Sequence, residues 1–398
     1  MQLKNRSHLS YCTNVFSGNT LNEIWKNIEN KVLPIKKLLS PDTQFAIGLC
    51  LTNQAAAELL INDNLKCFKQ WLNQRNLYVV TLNGFSFGDF HQHRVKDQVY
   101  SPDWTQRSRY DYTLNLIYIL QALLPEGGEG SISTVPISYS IWHTLQEQKQ
   151  EVMHKSAEQL LELVEVVNQI YQQTGKLIHI NLEPEPDCLL ETIDGIIEFF
   201  QVYLMGAKEV IAKRHIRVCY DVCHAAVKFT DHARAFQLLQ QNGIKIGKVQ
   251  ISSAIKIDFT QITPECQYTE LLSLSNSKYL HQVVMQNEHN QIRNYPDLVH
   301  ALAFYGSLAV KEWRIHYHVP IYAEQFLSMQ TTQIDIIAVI NLLMHYQQTP
   351  HLEIETYTWS ECTSNSDLTP YIVREYQWLL SYIPALDVNF KEVDLCKK

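Results

Sequence analysis

Residues 177–184 read LIHINLEP. Ile178, Ile180 and Leu182 fall on one side of an extended chain, and His179, Asn181 and Glu183 fall on the other, because side chains alternate across a strand. On either side of this run the period changes. EVMHKSAEQLLELVEVVNQIYQQTG (151–175) precedes it with apolar residues at helical intervals and Gly175 as a stop, and ETIDGIIEFFQVYLM (191–205) follows with the same period. A strand set between helices predicts a parallel sheet, and parallel strands are covered on both faces. The polar face of such a strand then points into an enclosed space, which a closed barrel provides.

The alternation repeats along the chain. Strand-like runs are HLSYCTNV (8–15), FAIGLCL (45–51), LYVVTLNGF (77–85), GSISTVPI (130–137), IRVCYDVCH (216–224), GKVQISSA (247–254), WRIHYHVP (313–320) and HLEIETYT (351–358). Further helical patterns are DHARAFQLLQQNG (231–243) and TTQIDIIAVINLLMHY (331–346). With LIHINLEP there are nine strand candidates, and eight close a barrel, so one should be spare. The expected fold is α/β, a (β/α)8 TIM barrel forming a single domain over 1–398. Residues 255–312, which lack a long helical pattern, are expected as an insertion before the last strands. An open doubly wound sheet is the alternative, but no G-x-G-x-x-G follows any strand.

Composition narrows the class. The 398 residues are 46% hydrophobic and 19% charged, which suits one large packed domain rather than a disordered chain. A net charge of −8 opposes a nucleic-acid partner, which normally calls for a basic stripe. The nine cysteines include no C-x-x-C pair, so a zinc ribbon or redox motif is unsupported. MQLKNRSHLS lacks an apolar signal core, and no run approaches ~20 apolar residues. A cytoplasmic protein is expected.

The chemistry sits on the polar parity. Asp221 aligns with Cys219, Gln250 with Ser252, His316 with His318, and Glu353 with Glu355, each opposite apolar neighbours. The acids come late in their strands, at the end where barrel active sites lie. Carboxylates and imidazoles converging there would repel, and a divalent cation would resolve the conflict. Each residue also has a plainer reading. Asp221 could cap a helix starting near Val222, Glu183 and Glu355 could pair with a barrel Lys or Arg, and His224 could be a core histidine. Asn83 ends the third strand and could bond a substrate. In the long loop 87–104, Arg94 and Lys96 could meet a phosphate or carboxylate and Trp104 could stack on a ring. Alternatively its aromatics pack on the barrel rim.

The strand-end glutamate of LEP, the D-x-x-H after an apolar strand and the final glutamate of ETY resemble the xylose-isomerase-like TIM barrels. These include sugar-phosphate isomerases, ketose epimerases and endonuclease IV. More narrowly, TLNGFSFGDFH, LLPEGGEGSISTVP, YDVCHAAVKF and HLEIETYTW resemble the EboE-type metabolite-traffic proteins, over residues 8–380. The resemblance implies a divalent metal ion (Mn, Mg, Co or Zn) held by Glu183, Asp221, Glu355 and a third ligand. That ligand is usually a histidine on the strand after the aspartate. Here Gln250 stands in its place, with His318 on the next strand as the other choice.

The resemblance further implies that Glu183 and Glu355 move a proton through an enediolate, as in sugar isomerases and epimerases. His224, Asn83, Glu185, His316 and Glu353, with Arg94, Lys96 and Trp104, would contact the small-molecule substrate. The alternative it implies is a non-catalytic carrier that supports export of a metabolite precursor, with other Ebo-cluster proteins and a membrane partner. An endonuclease-like activity is opposed by the net charge.

Overall fold

The computed structural model describes every residue except 5–6, 92–94, 207, 262–264, 308–309, 347–350, 364 and 384–398. Fourteen strands are described, labelled in chain order. Eight of them are β1 (His8–Tyr11), β2 (Phe45–Cys50), β3 (Leu77–Asn83), β4 (Glu129–Thr134), β5 (Leu177–Leu182), β6 (Ile216–Asp221), β7 (Ile246–Ile251) and β14 (His351–Ile354). They form one sheet in the order β1-β14-β7-β6-β5-β4-β3-β2, with every hydrogen-bonded pair parallel. The two end strands meet through a single parallel bridge, Cys12 to Gly48, which nearly closes the barrel. A Cβ at Gly48 would lie 1.8 Å from Glu353 Oε2, so the seam needs bare backbone there. The expected (β/α)8 barrel is the fold the chain adopts.

Helices cover the outside for the reasons their sequences give. The helix Gln146–Thr174 stops where Gly175 takes a left-handed conformation at φ 69°. The helix Ile193–Tyr203 starts at Thr192, whose side chain accepts from the Gly195 amide. Leu9, Ile47, Ile132, Ile180, Val249 and Ile354 belong to the buried apolar layer between strands and helices. The opposite parity is also buried but polar, with Ser133, His179, Asn181, Lys248, Gln250 and Glu353 in the barrel interior. There Lys248 Nζ lies 2.6 Å from Glu353 Oε1, with both side chains fully buried.

A second sheet interrupts the barrel between β7 and the crossover to β14. Its strands are β8 (Ser253–Asp258), β9 (Val283–Asn287), β10 (Ile292–Tyr295), β11 (Val310–Val319), β12 (Gln325–Phe326) and β13 (Met329–Thr331). The order is β10-β9-β11-β8-β13-β12, antiparallel throughout. Only Ser252 separates β7 from β8, so a barrel strand runs straight into the added sheet. This sheet has its own core, built on Trp313, Ile315, Tyr317, Val283, Leu298 and Met329. The helix Gln333–His345 then returns the chain to the barrel.

The run WRIHYHVP is therefore not a barrel strand. It is the end of β11 and the spare one of the nine candidates. Its alternation is real, but the apolar parity packs into the second core, while His316 and His318 line a pocket at the barrel mouth. Period two reports two unlike faces, and it does not say which neighbour covers them. Among the described residues no helix is long and apolar enough to cross a membrane.

Candidate metal centre

Three acids meet at the carboxyl ends of the strands. Glu183 directly follows β5, Asp221 ends β6, and Glu355 directly follows β14. All three are buried, and one oxygen from each lies within 4.8 Å of the others. Asp221 fills the capping role open to it. Its Oδ1 caps the helix Val222–Val227 by accepting from the His224 amide at 2.8 Å, and it accepts from Ser252 Oγ at 2.8 Å. Its Oδ2 has no hydrogen-bond partner among the described residues, and neither has Glu183 Oε2. Glu355 Oε1 is fixed by amide donors from Asn14 at 2.8 Å and Asn83 at 3.0 Å. Burial, then the charges of Glu355 and Asp221, hold the Glu183 carboxyl well above the usual range. Burial and Asp221 raise Glu355 in the same way. Three carboxylates in so small a desolvated space cannot all stay charged without a counter-charge.

Three imidazoles close over the acids, and each is oriented by its Nδ1. His224 Nδ1 lies 3.0 Å from the Pro184 carbonyl, His318 Nδ1 2.8 Å from the Glu355 carbonyl, and His316 Nδ1 2.7 Å from Gln282 Oε1. The Gln282 amide nitrogen donates to Tyr100 Oη and the Pro186 carbonyl, which fixes its oxygen as the acceptor. Each Nδ1 therefore carries the proton, and each Nε2 presents a lone pair. His318 Nε2 has no hydrogen-bond partner among the described residues and stands 3.9 Å from Asp221 Oδ2. His224 Nε2 is also 3.9 Å from that oxygen. His224 and His316 face each other Nε2 to Nε2 at 3.1 Å. Burial holds His316 well below the ordinary imidazole range and His318 at about 4, so both are neutral near pH 7.

The cation that the sequence resemblance calls for fits these residues. Orphaned carboxylate oxygens and outward-facing imidazole lone pairs, each held from behind by a hydrogen bond, form a mixed oxygen–nitrogen donor set. Glu183, Asp221 and Glu355 form one group, Asp221, His224 and His318 a second, and Glu185, His224 and His316 a third.

No family model and no curated protein matches the sequence. Solved structures do match the fold. A xylose isomerase-like TIM barrel protein from Mycobacterium smegmatis in complex with magnesium superposes with a TM-score of 0.52 at 12% identity, over 96% of this chain and 99% of that one. A D-tagatose 3-epimerase-like protein superposes at 0.50 and 15% identity, over 94% and 98%. The fold is that of the xylose isomerase-like TIM barrels.

Within this xylose isomerase-like barrel the residues expected from sequence fall into distinct groups. Glu183, Glu355, Asn83, Glu185, His224, His316 and His318 line one pocket. Asp221 lies beneath it, among the ligand groups. Gln250 does not line the pocket. It is fully buried, paired in register with Asp221 and Glu353, and neither end of its amide has a partner among the described residues. Ser252, two residues on, reaches Asp221 instead. Glu353 is not a substrate contact, because it is sealed in the interior against Lys248. Trp104 is fully buried in the apolar core and cannot stack on a ligand. Lys96 lines the pocket, but its ammonium sits 2.6 Å from Asp297 Oδ2 and 2.8 Å from the Tyr279 carbonyl. Arg94 lies outside the described residues.

Sequence reasoning missed Asn14, Gln282, Phe90, Tyr279 and Tyr357. Asn14 had a readable signal, since it sits near the end of the first strand run as Asn83 ends the third. Lys248 had one too, as a cation inside the strand run GKVQISSA.

Proposed function

We propose that this chain is a divalent-metal-dependent enzyme of the isomerase or epimerase type. It would move a proton at a carbon next to a carbonyl in a small hydroxy-carbonyl compound. The observation that carries the reading is the convergence of Glu183, Asp221 and Glu355 with His318 at the carboxyl ends of the strands, opening into the pocket. Those four side chains would hold the cation. When bound, it would supply Lewis-acid polarisation of neighbouring substrate oxygens. Glu183 and Glu355 stand three strands apart around the barrel. From there one would take a proton on one side of the substrate carbon and the other would return it. Asn14 and Asn83 would hold Glu355 in place, and His224 would bond a substrate oxygen.

Incubation with a panel of aldoses and ketoses in D2O, followed by NMR, tests this. Metal-replete protein should place deuterium at one carbon, and Glu183→Gln or Glu355→Gln should abolish it. No exchange across the panel would sink the catalytic reading.

The roof over the site favours a second reading. The pocket is covered by the loop after β3, which Lys96 ties to Asp297, just beyond β10 of the second sheet. A covered site suits carriage of a metabolite without chemistry, as in the EboE-type proteins the sequence resembles, with delivery to a membrane partner. A ligand that raises the melting temperature but exchanges no deuterium would favour carriage.

A further inference from the structure

The polar groups available to a ligand lie at one end of the pocket. At the floor, Glu183 Oε2, Glu185 Oε2 and His318 Nε2 have no hydrogen-bond partner among the described residues. At the roof, Lys96, Tyr279 and Tyr100 are already bonded to protein partners. Lys96 is held by Asp297 and the Tyr279 carbonyl. Tyr279 Oη is 2.6 Å from His91 Nδ1. Tyr100 Oη donates to Glu185 at 2.7 Å and accepts from Gln282 at 2.9 Å. What the roof presents is apolar. Phe90, Tyr279 and Tyr357 pack on one another with ring centroids 5.2 to 5.7 Å apart. Phe85, Val99 and Leu280 complete the wall.

This distribution constrains the ligand. A free sugar carries hydroxyls around its whole perimeter, and those left facing an apolar wall lose their water without replacement. A phosphate needs a free cation or a cluster of amides. Lys96 is the only Lys or Arg among the described residues that line the pocket, and its charge is neutralised. The floor itself is acidic. Phosphorylated sugars and free carboxylates are therefore poor matches.

We infer that the pocket takes an uncharged amphipathic molecule: a hydroxy-carbonyl head seated on the floor, joined to an apolar ring body held under Phe90, Tyr279 and Tyr357. The inference rests on the proposed function only in placing the reacting head at the acidic end.

Three probes share one head and differ in body. They are 2-hydroxyacetophenone, dihydroxyacetone and dihydroxyacetone phosphate. Binding to the purified full chain is measured by calorimetry, and deuterium exchange by NMR in the same samples. The phenyl compound should bind at least about tenfold tighter than dihydroxyacetone, with the phosphate no tighter than the parent. Phe90→Ala and Leu280→Asn should each reduce the phenyl preference, and the wild-type ranking decides the matter if either variant fails to fold. Equal affinities, tightest binding of the phosphate, or no binding of the phenyl compound overturns the inference. Exchange separates it from the proposed function. Tight phenyl binding without exchange keeps the amphipathic ligand and removes the catalysis. Exchange of dihydroxyacetone without any phenyl preference does the reverse.

Discussion

Asp221 divides its two oxygens between two tasks, and a pair of substitutions separates them. Oδ1 caps a helix and takes the Ser252 hydroxyl, while Oδ2 has no hydrogen-bond partner among the described residues. Asp221→Asn keeps an oxygen for the cap and removes the charge. Its metal content, measured by mass spectrometry, should fall while the melting temperature of the metal-free protein holds or rises, because one of three crowded carboxylates is gone. Asp221→Ala should lose the metal and also about 1 kcal/mol of cap stability. A variant that keeps its metal would remove the premise of the site. At this scale the strand-end acids were legible, because alternation assigns a face to every side chain. Trp104 and Lys96 were not. An aromatic in a polar loop reads the same whether it packs inward or outward, and Lys96 finds Asp297 201 residues away. Gln250 shared the right parity but does not line the pocket. Parity gives a face and leaves depth undetermined.

The seam between β1 and β2 depends on one missing methyl group. Glu353 fills the space beside Gly48, and Lys248 holds the carboxylate there at 2.6 Å. Gly48→Ala must push Glu353 away from its buried cation or open the seam. Overpacking of this kind costs about 1–3 kcal/mol, and denaturant titration should show a loss at the upper end of that range. Glu353→Ala placed in the same chain should recover part of it, since the clash and the ion pair share a residue. Most elements were legible from their periods and stops, such as the helix that Gly175 ends. The element read wrongly was β11. Its alternation matches that of a barrel strand, and the partners that distinguish the two, β8 and β9, lie outside any local window. The histidines it carries still reached the site, because one face of the second sheet turns toward the barrel mouth.

Across the whole molecule, stability should fall off on both sides of neutrality. His8 and His179 are held at about 4 by burial, against 6.5 when exposed. The folded state therefore refuses protons that the unfolded chain accepts, and stability present above pH 6.5 is lost as pH falls toward 4. Glu375 behaves oppositely. Burial raises it from 4.5 to about 7, so its contribution is full below pH 4.5 and is lost as pH rises through 7. The melting temperature of the metal-free protein should peak between about pH 6 and 7, and His179→Asn should flatten the acid limb. The join between β7 and β8 bears on cooperativity. A second core hung on a flexible tether could melt by itself, giving two heat-absorption peaks. Here the two cores are strung on almost one continuous strand, broken only at Ser252, and that residue also holds Asp221. Disorder in one sheet therefore pulls directly on the end of a strand in the other. Calorimetry should record one peak whose van't Hoff and calorimetric enthalpies agree, although the chain contains two sheets.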